Sequence, residues 1–189
     1  QFTSFDSSAP KVPKSMDDQN KLAPFNPTSL EAQNIALRLL KLDEIDILFD
    51  LGCGDGRFLI HAAEKTPGMR CVGIEMDVIF FARCCDALKK TTVDIQSRVS
   101  FRHDDVLKNW NCRENDILSL ELDATAIFLF LLPKGLIKIK QMLEEIVQKR
   151  QGEGLRIRIV SYMFSIKWWT PIEMESTSRG GCRVYLYEF

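Results

Sequence analysis

The chain has 189 residues, 46% of them hydrophobic, and its 25 basic and 26 acidic side chains leave a net charge of −1. That length suits one domain with a substantial core, and the interspersed, nearly balanced charges exclude the broad basic field of a non-specific nucleic-acid binder. The longest uninterrupted apolar run, residues 126–132, is far too short to cross a bilayer.

Residues 1–22 are polar, with Ser, Pro and Lys and only scattered phenylalanines. They read as an arm with little structure of its own, which leaves 23–189 as the single domain. The chain shows no signal-peptide pattern, but it opens on Gln1 rather than Met, so a removed targeting or anchoring segment stays open. Pro24 and Pro27 hold the next segment extended. Thr28 and Glu31 have capping-box spacing, which predicts a helix with Ala32, Ile35, Ala36, Leu39 and Leu40 on its apolar face.

Ile45, Ile47, Leu48 and Phe49 predict a buried strand. It runs into Asp50-Leu51-Gly52-Cys53-Gly54-Asp55-Gly56 and then a helix on which Phe58, Leu59, Ala62 and Ala63 recur. Three glycines at alternate positions permit a sharp turn and a close approach of ligand to main chain. Asp50 stands at the carboxyl end of the strand, where open α/β sheets bind their ligands. A dinucleotide turn requires G-x-G-x-x-G. Here Arg57 occupies the place of the third glycine, and the carboxylate of Asp50 would repel a phosphate. The turn suits a cationic nucleoside.

Pro67-Gly68 ends that helix, and Arg70 to Glu75 predicts a second strand whose terminal carboxylate can accept from both hydroxyls of a ribose. Val78 to Lys90 predicts a helix burying Phe80, Phe81, Cys84, Ala87 and Leu88. Val99 to His103 alternates as a third strand and ends in Asp104-Asp105-Val106, where turn chemistry is the competing explanation for either acid. Lys108 to Asp116 is polar and reads as irregular or briefly helical. Ala124 to Leu131 predicts a central strand, Leu136 to Val147 a helix and Leu155 to Ser161 a fifth strand. Trp169 to Met174 and Cys182 to Phe189 predict a hairpin around residues 176–181. Strand–helix repeats closed by an antiparallel pair make an α/β fold. The six cysteines lack C-x-x-C spacing and only His61 and His103 accompany them, which argues against a metal site and for reduced thiols.

The segment D-L-G-C-G-D-G resembles motif I of class I methyltransferases, which use S-adenosylmethionine (SAM) and release S-adenosylhomocysteine. SAM carries an ammonium and a sulfonium but no phosphate. The resemblance implies a Rossmann-like, mostly parallel seven-stranded sheet with helices on both faces and a C-terminal antiparallel hairpin. It implies cofactor contacts at Asp50, Leu51, Gly52, Cys53, Gly54 and Gly56 in the turn, Glu75 and Met76 at the ribose, and Asp105 and Val106 at the adenine. Asp104 competes for the role of Asp105.

Acceptor signatures are sought after the fourth strand. The Asn/Asp-Pro-Pro-aromatic tetrapeptide of amino-methylating nucleic-acid enzymes is replaced by Phe128-Leu129-Phe130-Leu131-Leu132-Pro133, and no Pro-Cys pair exists for cytosine-C5 chemistry. Base flipping is thereby demoted. From Pro24 onward the chain resembles the small protein-lysine methyltransferases of adenine nucleotide translocase and the ATP synthase c subunit. It shares their D-L-G-x-G-D-G-R turn, with Pro24-Phe25-Asn26-Pro27 standing for their Pro-Tyr-Val-Pro segment and Trp168-Trp169-Thr170-Pro171 loosely matching a late aromatic–Pro element. It departs from them in lacking a membrane-anchoring helix and in carrying Phe25 for Tyr. The resemblance implies N-methylation of a protein lysine, with Phe25, Phe130 and Trp169 as candidates for the acceptor pocket and no nameable general base. His61 and His103 read as structural. The alternatives are a small-molecule or RNA methyltransferase on the same scaffold, or a silent methyltransferase-like binding subunit, against which the retention of all three acids argues. The expected setting is a monomer acting on a protein inside the cell, in the cytoplasm ahead of the mitochondrion or nucleus.

Overall fold

The computed structural model describes residues 26–110 and 118–189. Phe25, the proposed arm and the centre of the polar stretch after Lys108 lie outside these residues.

Helix α1 spans Leu30–Leu40 and buries Ala32, Ile35, Ala36, Leu39 and Leu40. Its cap is Ser29 rather than Thr28: the Ser29 hydroxyl accepts from the Ala32 N–H at 3.2 Å. Glu31 does not close a capping box, because its carboxylate accepts from the Ser178 N–H at 2.7 Å instead. Strand β1 (Ile47–Leu51) begins after Ile45, which is 79% exposed and not part of the buried run. Then follow α2 (Arg57–Lys65), β2 (Arg70–Glu75) and α3 (Val78–Leu88). Only Cys84 of α3 is fully buried. Phe80 and Phe81 stay half-buried because Phe80 borders a cavity and Phe81 packs on the His103 ring at 5.4 Å.

An unforeseen helix, α4 (Val93–Arg98), precedes β3 (Val99–His103). It is capped by Thr92 and anchored by Arg98, whose guanidinium donates to the carbonyls of Met69 at 3.0 Å and Ala63 at 3.1 Å. Short helices α5 (Val106–Asn109) and α6 (Leu120–Asp123) lead to β4 (Ala126–Leu129). The expected single helix over 136–147 is two, α7 (Pro133–Lys138) and α8 (Lys140–Gly152). They break at Ile139, whose φ of −90° and ψ of 2° leave the helical range while its side chain remains wholly buried. Strands β5 (Arg158–Tyr162), β6 (Glu173–Ser176) and β7 (Arg183–Glu188) complete the sheet.

The seven strands lie in the order β3-β2-β1-β4-β5-β7-β6. β1 to β5 are mutually parallel, and β7 runs antiparallel to both β5 and β6. Because strand side chains alternate, Leu48 joins α1 and α2 in one core, whereas Ile47, Phe49 and Leu51 join α8 in the other. Asp50 therefore lies on the face of Leu48. Strand order reverses beside β1, between β2 and β4, and the carboxyl ends there form the crevice in which such sheets bind ligands.

The opposite, amino ends are tied by a buried ion pair. Arg158 donates to Asp46 and to the Leu40 and Lys41 carbonyls, the latter two at 2.6 and 2.8 Å. Asp46 also accepts from Thr125 Oγ1 at 2.6 Å and the Asp43 N–H at 2.8 Å. Burial alone would raise the Asp46 carboxyl, but these donors outweigh it and hold the group below its ordinary value. Its contribution to stability is thus complete above the unfolded pKa of about 3.9 and is lost as pH falls through the lower folded value. Asp46→Ala strands a buried guanidinium and should destabilise the fold by about 3–5 kcal/mol at neutral pH in urea unfolding. The difference from wild type should shrink on acidification below about pH 4.

Candidate functional site

At the carboxyl ends of β1, β2 and β3 lies a cavity of about 360 Å³, bordered also by the segment before α1 and the residues after β4. Its floor is the glycine turn. The N–H groups of Gly52 and Cys53 both donate to the Ile74 carbonyl, at 2.9 and 3.2 Å, which seats the turn against β2. Gly54, with a φ of +60°, is held at both ends: its N–H donates to Glu75 Oε2 at 2.9 Å and its carbonyl accepts from Cys84 Sγ at 2.9 Å. Gly56, with a φ of +76°, has no room for a side chain, since a Cβ there would meet the Phe101 ring at 2.5 Å.

Four sequence-marked acids border this space. Asp50 is 4% exposed, yet no described residue donates a hydrogen bond to its carboxylate. Burial, reinforced by Glu75 and Asp55, pushes its carboxyl well above the ordinary range. Glu75 accepts from the Gly54 N–H through Oε2 and from the Asp77 N–H through Oε1, at 2.9 and 2.8 Å. Each of those oxygens keeps a second lone pair. Burial lifts the Glu75 carboxyl, although the Asp77 and Gly54 N–H groups pull it down. Asp105 caps α5 through the Leu107 N–H at 3.1 Å and pairs with Lys108 at 3.4 Å, while Asp104 accepts from the Asp105 N–H at 2.7 Å. Both line the cavity beside Val106.

The structure brings Asp50, Gly52, Cys53, Gly54, Glu75, Met76, Asp105, Val106 and Phe130 to one cavity. Gly56 and Leu51 are not among its lining residues: Gly56 sits behind the turn against Phe101, and Leu51 is buried in the core on the other sheet face. Trp169 is also absent from the lining, because it packs on Phe189, Tyr187 and Trp168 with ring centroids 4.6, 6.0 and 5.8 Å away. Phe130 leans on Tyr162 at 4.6 Å, and Phe128 stacks on Phe58 at 3.9 Å. His61 bonds Asn34 at 2.8 Å and His103 bonds the Met76 carbonyl at 3.0 Å, and neither is among the lining residues of the cavity.

Sequence reasoning passed over Thr28, Phe80 and Phe128, which border the cavity. Phe128 lies in the apolar fourth strand and was legible only as core. Arg57 is the one base among the described lining residues, and Asp55 already engages it at 2.9 Å. An acidic cavity with an orphaned buried carboxylate fits a cation and disfavours a phosphate. Among the described residues no group of His, Cys, Asp and Glu could hold a metal ion, and no helix is long and apolar enough to cross a membrane.

Four similarities to known proteins bear on this geometry. The family described as the ANTKMT methyltransferase domain matches residues 50–173. A protein-lysine N-methyltransferase of Saccharolobus islandicus (strain REY15A) is 30% identical over 166 residues, covering 87% of this chain and 92% of that protein. The crystal structure of an RNA methyltransferase from Salinibacter ruber in complex with S-adenosyl-L-homocysteine superposes with a TM-score of 0.69 at 29% identity, covering 86% of this chain and 93% of that one. A SAM-dependent methyltransferase from Geobacter sulfurreducens, also in complex with S-adenosyl-L-homocysteine, shares the fold with a TM-score of 0.53 at 21% identity, over 72% of this chain and 49% of that one.

Proposed function

The chain belongs to the ANTKMT methyltransferase domain family and is a SAM-dependent methyltransferase, and on that premise we propose that it N-methylates a lysine side chain of a protein. The observation that carries the acceptor class is the cavity's charge: its described lining is rich in carboxylates, and the one base among those residues is spent on Asp55. A lysine is drawn to such a mouth, whereas an RNA acceptor would bring its phosphates against these acids. The similarity to a protein-lysine N-methyltransferase supports the same reading.

SAM supplies an electrophilic methyl group on a sulfonium. Toward it, Asp50 is assigned the cationic amino-acid end, which gives its buried carboxylate a partner. Glu75 is assigned the ribose hydroxyls through the lone pairs that Gly54 and Asp77 leave free. The Asp104–Val106 turn is assigned the adenine edge. Phe128, Phe130 and Leu131 exclude water and disfavour a charged amine at the reacting end, since desolvation lowers the pKa of a lysine. The remaining requirement is alignment of the amine lone pair. The free thiols of Cys53, Cys71, Cys84, Cys85 and Cys182 support an intracellular setting.

Incubation with methyl-labelled SAM and a cell extract, followed by protease or nuclease, tests the acceptor. The label should survive nuclease, be released by protease and chromatograph as methyl-lysine after acid hydrolysis. Label that survives protease and is lost with nuclease would overturn the protein assignment in favour of RNA.

A further inference from the structure

Thr28 is 7% exposed and lines the cavity, and no described residue hydrogen-bonds its hydroxyl. The hydroxyl is not one of the atoms shut away without a partner, so it opens on the cavity, where a ligand can reach it. The neighbouring chain is arranged to keep it there. Pro27 fixes the preceding backbone, and Ser29 starts α1 immediately after. Gln33, 5% exposed, donates its side-chain amide to the Thr28 carbonyl at 2.9 Å. A buried amide is thus used to set the pose of one residue of the wall.

Sheet order indicates what that hydroxyl meets. The acids assigned to the cofactor stand on the tips of β1, β2 and β3, which succeed one another away from β4. The nucleoside then extends toward β3, and the sulfonium end stays over β1. The part of the cavity left on the β4 side is bounded by Phe128, Phe130 and Leu131, and Thr28, from the segment before α1, lines the same cavity. Three apolar side chains and one hydroxyl without a partner among the described residues suit an alkyl chain ending in a single neutral nitrogen.

We propose that Thr28 is a specificity-determining residue, its hydroxyl oxygen accepting one N–H of the acceptor amine, and that Gln33 positions it. The proposal rests on the lysine reading above. A hydroxyl suits the task better than a carboxylate, because it bonds a neutral amine without stabilising the unreactive ammonium. In the transfer the nitrogen lone pair forms the N–C bond, the electron pair of the S–C bond stays with sulfur, and the surplus proton on nitrogen leaves to solvent.

The test needs no acceptor protein. Two SAM analogues, one with a 2-aminoethyl group in place of the methyl and one with the isosteric n-propyl group, are titrated by calorimetry at pH 9 together with S-adenosylhomocysteine. Wild type and Thr28→Ser should bind the aminoethyl analogue at least about tenfold more tightly than the propyl one. Thr28→Val should lose that preference, and Gln33→Leu should weaken it severalfold, with S-adenosylhomocysteine affinity unchanged in both. Thr28→Ala, which cannot overfill the wall, serves if the valine variant fails to fold. A preference kept in Thr28→Val or Thr28→Ala, or absent from wild type, overturns the proposal and leaves the methyltransferase assignment standing. Nuclease-sensitive label in the extract experiment instead removes the lysine reading on which it rests.

Discussion

Asp50→Asn should lower SAM affinity by more than a hundredfold and, at the same time, raise the melting temperature of the ligand-free protein. Truncating one member of a buried charge pair costs about 2–5 kcal/mol of binding, and about 2.7 kcal/mol is already a hundredfold. The opposite effect on stability follows from the carboxyl's displacement. Burial first, then Glu75 and Asp55, raise it well above its ordinary value. Between the unfolded pKa of about 3.9 and the raised folded value, the native state holds more protons than the unfolded state. Stability contributed by this group therefore declines as pH rises through that window, a cost that asparagine, which does not titrate, removes. Binding runs the other way, because a cationic ligand requires the ionised form. In wild type, affinity should climb with pH across the window, and in Asp50→Asn the profile should be flat there. Calorimetry over a pH series beside thermal melts measures both. Tight binding retained by the asparagine variant would end the assignment of Asp50 to the cationic end.

Glu75→Gln should cost SAM binding a comparable factor but shift stability downward. Hydrogen bonds to a charged group are worth about 1.5–3 kcal/mol each, so two to a ribose amount to about 3 kcal/mol or more. The carboxylate has a second duty, since its two oxygens hold the Gly54 and Asp77 N–H groups. A carboxamide offers one acceptor oxygen and turns an NH2 toward the other donor, so either the glycine turn or the first turn of α3 is released. The two neighbouring acids are thereby separable: one variant melts higher and the other lower, while both lose the ligand. Equal affinity for SAM in Glu75→Gln and wild type would remove the ribose role.

The strand tips were legible in the sequence because their signals are local. A glycine turn after an apolar run, and an acid closing each of three short strands, need no knowledge of distant chain. What escaped depends on distant partners. Thr28 and Ser29 both offered a cap, and the engagement of Glu31 by Ser178, 147 positions away, accompanies the choice of Ser29. α4 buries only Ile95, too little for a helical period to register. The break at Ile139 contains no Gly or Pro, and the packing of both flanking helices against one core decides it. Trp169 packs away from the pocket on Tyr187 of β7 and on Phe189 just beyond it, partners that composition alone does not assign.

The bonds from α1 to the terminal hairpin bear on how the chain is made. Glu31 holds Ser178, and Arg38 pairs with Glu175 through both carboxylate oxygens. Helix α1 therefore finds its neighbours β5 and β7 only after the whole intervening stretch has been made. Until that moment the wall bearing Thr28 leans on α2 without the support of β5 and β7. A nascent polypeptide, or one cut between β5 and β6, can shape the glycine turn and still lack support for the far side of its pocket, so a stop codon placed there should yield chains that recognise the nucleoside but modify nothing.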